Sequence, residues 1–391
     1  RFAQVSSAKF DAGYFNAYAR IADREDLNFI LHLGNYIYGT AGGEATGMNT
    51  ARRFELPHEC KTLDDYRRRY NQYHRVPDVQ RMHAAHPIIA ALAEHELAPG
   101  AWRGGAESHD PQRDGPWPER VRSALRARWE WLPVRQPDPF DASRVYRSVR
   151  LGRLADLLVT ETHVHRDQPA PPPEMYDPNR TQLGLAQRKW LFEEFDRSTA
   201  RWRLLAMPSI LGTLWRTDLP DPVRLPLLRA GLLGTDGEGP DCSSWDGYPA
   251  ERYLLMRHIR DHKLRNSVVL SGNSGISLVQ ELKMDPFDPA QEAIAVECAN
   301  AGVNSPYLDD GFYGSSRTPL RIDEQELLRL FPQVKYLDLN SHGYNVVDLT
   351  AERVRVEWWY ADTVHPRSDK EHCGASFEIK AGPSASTCSI Q

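Results

Sequence analysis

Apolar positions cluster in short unbroken runs separated by amphipathic stretches. Phe2-Ala3-Gln4-Val5-Ser6 and Asn28-Phe29-Ile30-Leu31-His32-Leu33-Gly34 read as buried strands, the second closing on a glycine turn. Between them, residues 11–24 carry Tyr14, Ala17, Tyr18 and Ile21 on one stripe, the spacing of a helix. The chain therefore opens strand–helix–strand, which implies a parallel pair with a right-handed crossover. The same reading predicts helices over 62–72, 77–85, 122–131, 184–197 and 249–263. It predicts further buried strands at Ile88–Leu92, Leu154–Val159, Trp202–Ala206 and Ser267–Gly272. Near the C-terminus, Tyr344–Leu349 and Val354–Tyr360 alternate as an antiparallel hairpin.

Loops are expected over 39–47, rich in Gly, Ala and Thr, over 99–120 and over the Pro-rich 168–178. Residues 216–244 show no periodicity and read as a long excursion, a mobile loop or lid. The expected class is α/β, built as one domain over 1–391.

Composition narrows the partners. The net charge of −5 over 391 residues lacks the basic excess of a nucleic-acid binder, so the expected partner is a small-molecule substrate. Clusters such as Arg67-Arg68-Arg69 sit among acids and read as a solvated helix face. The five cysteines, Cys60, Cys242, Cys298, Cys373 and Cys388, form no C-x-x-C, which argues against a disulfide framework or a thiolate zinc site. No apolar run is long enough to span a membrane. The chain begins at Arg1 on a strand, which points to a cytoplasmic protein, or to an exported one whose leader or extra N-terminal domain has been removed.

In an open α/β sheet the active crevice lies beyond the carboxyl ends of strands. Polar residues follow four of them: Ser6-Ser7, Gly34-Asn35, Glu94-His95-Glu96 and Gly272-Asn273. Such a layout suits a two-metal phosphoesterase, whose cations grip the attacking and leaving oxygens. His163 and His165 follow another strand end; on an extended segment they share one side, as metal ligands or as exposed surface. An extended Glu94–Glu96 segment would turn one glutamate to the crevice and one away. Trp102, Trp117, Trp129 and Trp131 either wall an apolar pocket or anchor a long loop, and Trp358-Trp359 pack on the hairpin.

Seven segments stand in order across residues 2–363: FAQVSSAKFDAGYFNAYARIADREDLNFILHLGNYIY, TLDDYRRRYNQY, HAAHPIIA leading into EHE, RTQLGLAQRKWL, WDGYPAER, VVLSGN and HGYNVVDLTAERVRVEWWY. In these segments and their order the chain resembles the PhoD-like alkaline phosphatase family. The resemblance implies a metallophosphoesterase-like αββα sandwich with mixed, largely parallel sheets and the C-terminal β-hairpin. The departures fall on the chemistry. The family has Ser-Cys at Ser6-Ser7, with the cysteine an iron ligand, and Gly-Asp-Tyr-Ile-Tyr at Gly34–Tyr38, with the aspartate bridging the metals. It has Trp-Asp-Asp-His-Glu at Leu92–Glu96, Gly-Asn-Gln at Ala206–Pro208 and Gly-Asp-Val-His at Gly272–Gly275. Tyr38, His95, Glu96 and His342 are retained.

Amides are weak ligands for iron or zinc, serine offers no thiolate, and glycine offers nothing. The expectation is therefore a crevice with no metal and no cofactor. His95, Glu94 and Tyr38 are the candidate acid–base groups, and Asn35, Asn273, Ser7 and His342 the candidate substrate contacts. Asn35 and Asn273 are also expected to fill old ligand space and bond each other, and His95 to be a satisfied core histidine if the site is inert. Three functions compete: a repurposed enzyme for isomerisation, cyclisation, elimination or hydrolysis of an organic small molecule; a ligand- or partner-binding pseudophosphatase; and a residual phosphatase or phosphodiesterase.

Overall fold

A computed structural model describes residues 1–41, 52–135, 141–216, 239–305, 318–382 and 388–390, with positions 224 and 233. Strand β1 (Phe2–Val5) is buried throughout, and β2 (Phe29–His32) lies parallel to it after helix α1 (Asn16–Ala22). Helices α2 (Leu63–His74) and α3 (Pro77–Ala85) lead into β3 (Ile88–Ala90), which adds parallel to β2. The start of α2 is fixed by a reciprocal cap: the Thr62 side chain accepts from the Asp65 N–H at 3.2 Å, and the Asp65 carboxylate accepts from the Thr62 N–H at 2.9 Å. Helices α4 (Pro111–Asp114) and α5 (Trp117–Trp131) follow.

The second sheet is built from β4 (Arg147–Leu151), β5 (Ala155–Val159), β6 (Trp202–Met207), β7 (Ser267–Ser271), β8 (Ser277–Leu282), β9 (Ala295–Ala299) and β10 (Val334–Asp338). Its crossover helices are α6 (Leu185–Arg197), α7 (Pro249–Asp261) and α8 (Thr318–Leu330). The chain then returns to the first sheet as β11 (Gly343–Leu349), β12 (Arg353–Ala361), β13 (Glu371–Lys380) and β14 (Cys388–Ile390).

The sheets run β14-β13-β12-β11-β1-β2-β3 and β10-β8-β9-β7-β6-β5-β4. They pack face to face. Leu31 and Leu33 meet Leu157, Val159, Leu204 and Val268 in one apolar layer, while Leu158, Leu205 and Val269 point the other way, onto Leu191, Phe195 and Leu255 of α6 and α7. The outer face of the first sheet is covered in the same way by α1, α2, α3 and α5. Central strands are thus buried on both faces, which is why they read as unbroken apolar runs.

The expected αββα sandwich and the hairpin of β11 and β12 are present, with Tyr344 opposite Trp359. The sheets are mixed, and their parallel part is the core of each: β1–β2–β3 and β5–β6–β7–β9. The remaining pairs are antiparallel, so the parallel share is smaller than expected.

Three local expectations change. The helix over 11–24 is a 3₁₀ turn, Phe10–Ala12, followed by the shorter α1, because the chain is diverted where the Tyr14 N–H bonds the Val364 carbonyl at 2.7 Å. The loop over 99–120 contains α4 and the start of α5; prolines 111 and 118 lie in first turns, where no N–H partner is needed. The strand β9 escaped notice because Glu297 interrupts it, buried and satisfied by the Leu211 and Gly212 amides and Gln280. The lid expected over 216–244 falls mostly on 217–223, 225–232 and 234–238, outside the described residues. Trp102 and Trp117 anchor their loop, the Trp117 indole donating to the Trp102 carbonyl at 3.0 Å. Cys60, Cys242, Cys298 and Cys373 are unbridged, and among the described residues no helix is long and apolar enough to cross a membrane.

Candidate functional site

The carboxyl ends of the parallel strands from both sheets meet at one edge of the sandwich. Ser6 and Ser7 leave β1, Gly34 and Asn35 follow β2, residues 91–96 follow β3, and Gly272 and Asn273 leave β7. Approach is close enough to require glycine at two positions. A Cβ on Gly34, at φ +94°, would lie 2.4 Å from Ala93 Cβ, and one on Gly272 would lie 2.7 Å from Leu33 Cβ and 3.0 Å from Ser6 Cβ.

Ser7, Asn35 and Asn273 all adopt the left-handed conformation, at φ 59°, 50° and 59°. That region costs an L-residue about 1–2 kcal/mol, less for asparagine, whose side chain bonds locally. Three such residues at three adjoining strand ends are held there by their surroundings. The Ser7 N–H donates to the Gly34 carbonyl at 3.1 Å, and the Ala8 N–H to the Asn35 carbonyl at 3.0 Å.

The Asn35 side chain spans the crevice. Its N–H donates to Asn273 Oδ1, and its Oδ1 accepts the His95 backbone N–H at 3.0 Å. The Asn273 N–H donates in turn to Ser6 Oγ at 3.1 Å. Asn35 is 1% exposed, so each amide bond replaces water that cannot reach it.

Beside this pair, the His95 ring stacks on Tyr38 with centroids 4.4 Å apart and planes 23° apart. The Tyr38 hydroxyl donates to Ser305 Oγ at 2.9 Å. Burial pushes the phenol up to about 12, although bonds with Ser305, Ser7 and Asn35 favour its ionised form. Glu94 lies 3.8 Å from His95 Nε2 and 3.9 Å from Arg166 Nη2, and accepts the Gly100 N–H at 3.2 Å. Burial opposes its ionisation, but the charges of His95 and Arg166 and the Gly100 amide outweigh it and hold the carboxyl below its usual range.

Residues 94–96 form a 3₁₀ turn, not the extended segment expected, yet the two glutamates still part company. Glu96 turns inward to the Ala93 N–H at 3.0 Å and to Arg128 at 3.6 Å, beneath the crevice. His342 is buried ahead of β11, where the Gly343 N–H bonds the Gly302 carbonyl at 3.1 Å and Gly302 in turn faces Ser7.

Ser6 and His163, named in the sequence only as strand-end residues, complete the surroundings with Ser305, Arg166 and Asp241, which the sequence reading did not single out. Arg166 is buried; its Nε donates to the Ala101 carbonyl at 2.7 Å and its Nη1 to the Ser243 carbonyl at 2.5 Å. Asp241 is bonded to Ser243, and burial, followed by repulsion from Glu94, pushes its carboxyl up. His163 and His165 do not face one way. His163 is buried and held neutral, its pKa lowered to about 3 by burial and by Arg166, whereas the His165 Nε2 bonds the Ser143 carbonyl at 3.2 Å. The reason is a turn: the buried Glu161 carboxylate accepts the backbone N–H groups of both His163 and Val164. The strand-end rule that picked out His163 after β5 was also the signal available for Arg166.

Two mixed sheets face to face, helices outside, and polar loops gathered at the parallel strand ends make this a metallophosphoesterase-like sandwich. The chain belongs to the PhoD-like phosphatase family, whose model matches residues 2–358. It is 28% identical over 372 residues to alkaline phosphatase D of Bacillus subtilis, which covers 92% of this chain. It spans 58% of the length of that curated relative. A solved structure of PhoD superposes with a TM-score of 0.81 at 26% identity, covering 100% of this chain and 72% of the other.

Metals are implied by the family, so the donor set matters. Asn35 and Asn273 spend their side chains on each other, Glu94 is opposed by Arg166, and the Tyr38 phenol resists ionisation. Among the described residues, the one group of His, Cys, Asp or Glu side chains with atoms close enough to share a cation lies elsewhere, at Asp196, His258 and His262. The described crevice residues thus offer two amides, a serine and a phenol, weaker donors for transition metals than carboxylate, thiolate or imidazole.

Proposed function

We propose that this member of the PhoD-like phosphatase family is a metal-independent acid–base enzyme acting on an organic small molecule in the strand-end crevice. The observation that carries the reading is the bond between Asn35 and Asn273 across that crevice, where charge-neutralising carboxylates would be needed for phosphoryl transfer.

The remaining groups suit proton transfer. His95 lies against Tyr38 and 3.8 Å from Glu94, and an imidazole exchanges protons near neutral pH without a metal. Glu94, its carboxyl held below the usual range, stands beside the His95 ring, and burial with Glu94 pushes the Asp241 carboxyl up. Ser7 and His342, with Asn35 and Asn273 where a ligand displaces their mutual bond, are the proposed contacts to substrate. Isomerisation, cyclisation, elimination and hydrolysis all fit such a constellation.

The test is site-specific. Crystals soaked in iron, manganese and zinc salts should give no anomalous signal at the crevice when read at each absorption edge. Two scatterers seated between Asn35, Asn273 and Tyr38 would return the protein to phosphatase chemistry.

A further inference from the structure

Away from the crevice, two helices end on a cluster of metal-ligating atoms. Asp196 lies in the last turn of α6, His258 in the last turn of α7, and His262 caps α7. A helix that follows a parallel strand runs back along the sheet, so both C-termini lie at the edge opposite the crevice, just ahead of β6 and β7. One carboxylate oxygen, Asp196 Oδ1, is 3.0 Å from His258 Nε2 and 2.7 Å from His262 Nδ1. The three atoms all lie within 4.8 Å of one another.

We propose that Asp196, His258 and His262 bind one borderline divalent cation of the zinc, cobalt or nickel class, which clips the end of α6 to the end of α7. Two imidazole nitrogens and one carboxylate oxygen are the donors such ions prefer, with the remaining position open to water. The spacing of His258 and His262 brings both rings to one face of α7, their centroids 3.9 Å apart. Tetrahedral ligands about 2.05 Å from zinc stand about 3.3 Å apart, so the observed nitrogen–oxygen separations need widen by only about 0.3–0.6 Å.

A second feature fixes the His258 ring. It stacks on Phe192 at 4.2 Å with planes 7° apart, and the Phe192 backbone also bonds it. Support of a ligating histidine through its other bonds is what orients a metal site. The C-terminal end of α7 also carries the negative end of the helix dipole, which favours a cation. Asp196 and His262 are each nearly half exposed, which leaves the site open to solution ions.

The test is cobalt titration of the whole chain after removal of any affinity tag and dialysis against chelator. The wild type should take up one equivalent of Co²⁺ with the visible absorption of a four- or five-coordinate centre, displaced by Zn²⁺. Affinity should fall by at least about tenfold in His262→Ala and in Asp196→Asn. Zinc should raise the melting temperature of the wild type and leave that of both variants unchanged. Circular dichroism checks that each variant is folded, and Asp196→Asn, which keeps size, serves if His262→Ala is not. No Co²⁺ uptake by the wild type overturns the assignment. So does uptake that both variants retain, since that metal would lie elsewhere, in the crevice above all.

Discussion

Asn35 and Asn273, 238 residues apart in the chain, bond side chain to side chain from the ends of β2 and β7. Both sit in the left-handed conformation, so backbone and side chain are committed to the same contact. The pair closes the gap between the two sheets with neutral amides.

Removing that amide should destabilise the fold. Asn35→Ala keeps a left-handed backbone at a cost of about 1–2 kcal/mol and orphans the Asn273 side-chain carbonyl and the His95 N–H, together about 2–6 kcal/mol. Asn35→Gly relieves the backbone term and should lose less. Urea unfolding of the three proteins measures the order; equal stability of the alanine and glycine variants would contradict the strained-backbone account.

Generic phosphomonoesters and phosphodiesters should turn over at background rates, with or without added iron or calcium. The physical reason is the missing charge, since amides cannot neutralise a phosphoryl transition state. Chelator-sensitive hydrolysis of p-nitrophenyl phosphate that vanishes in Asn35→Ala would refute the metal-independent reading.

His95→Gln retains size and some hydrogen bonding but cannot carry a proton. Turnover of the substrate that the wild type consumes should drop by about 10²-fold or more, with folding and unfolding curves unchanged. Full activity in a folded His95→Gln protein would shift the role to Glu94 or Asp241.

Acid should unfold the protein partly through buried histidines. Burial lowers His32 to about 3, aided by His83 and Arg128, and lowers His74 to about 4. Because these folded values lie below the unfolded value of about 6.5, the unfolded state takes up protons first as pH falls. Their stabilisation is whole above about pH 6.5 and is lost toward pH 3–4, at up to about 1.4 kcal/mol per pH unit for each ring. Buried Glu96, Glu161 and Glu297 are raised by burial and act in the opposite sense. The measurement is therefore a difference: His32→Gln should flatten the pH dependence of unfolding between pH 6 and 4 relative to wild type. An unchanged slope would show that His32 is protonated within the folded protein.

The sequence by itself determined the layers and the strand ends at which polar residues gather. Runs such as Leu157–Val159 and Val268–Leu270 are apolar because both faces of a central strand are buried, and that pattern is local. Polar residues just past those runs, Ser7, Asn35, Glu94 and Asn273, marked the strand ends for the same reason. Only the tertiary structure decided which of them touch. Arg166 reaches Glu94 from another segment, and His163 turns inward because a buried Glu161 caps its backbone. Polar strands such as β9 stayed hidden because Glu297 is satisfied by amides more than eighty residues away. Periodicity reports what a residue faces along its own element, whereas a site is made by partners brought together through the packing of two sheets, and their pairing is encoded in no single stretch of chain.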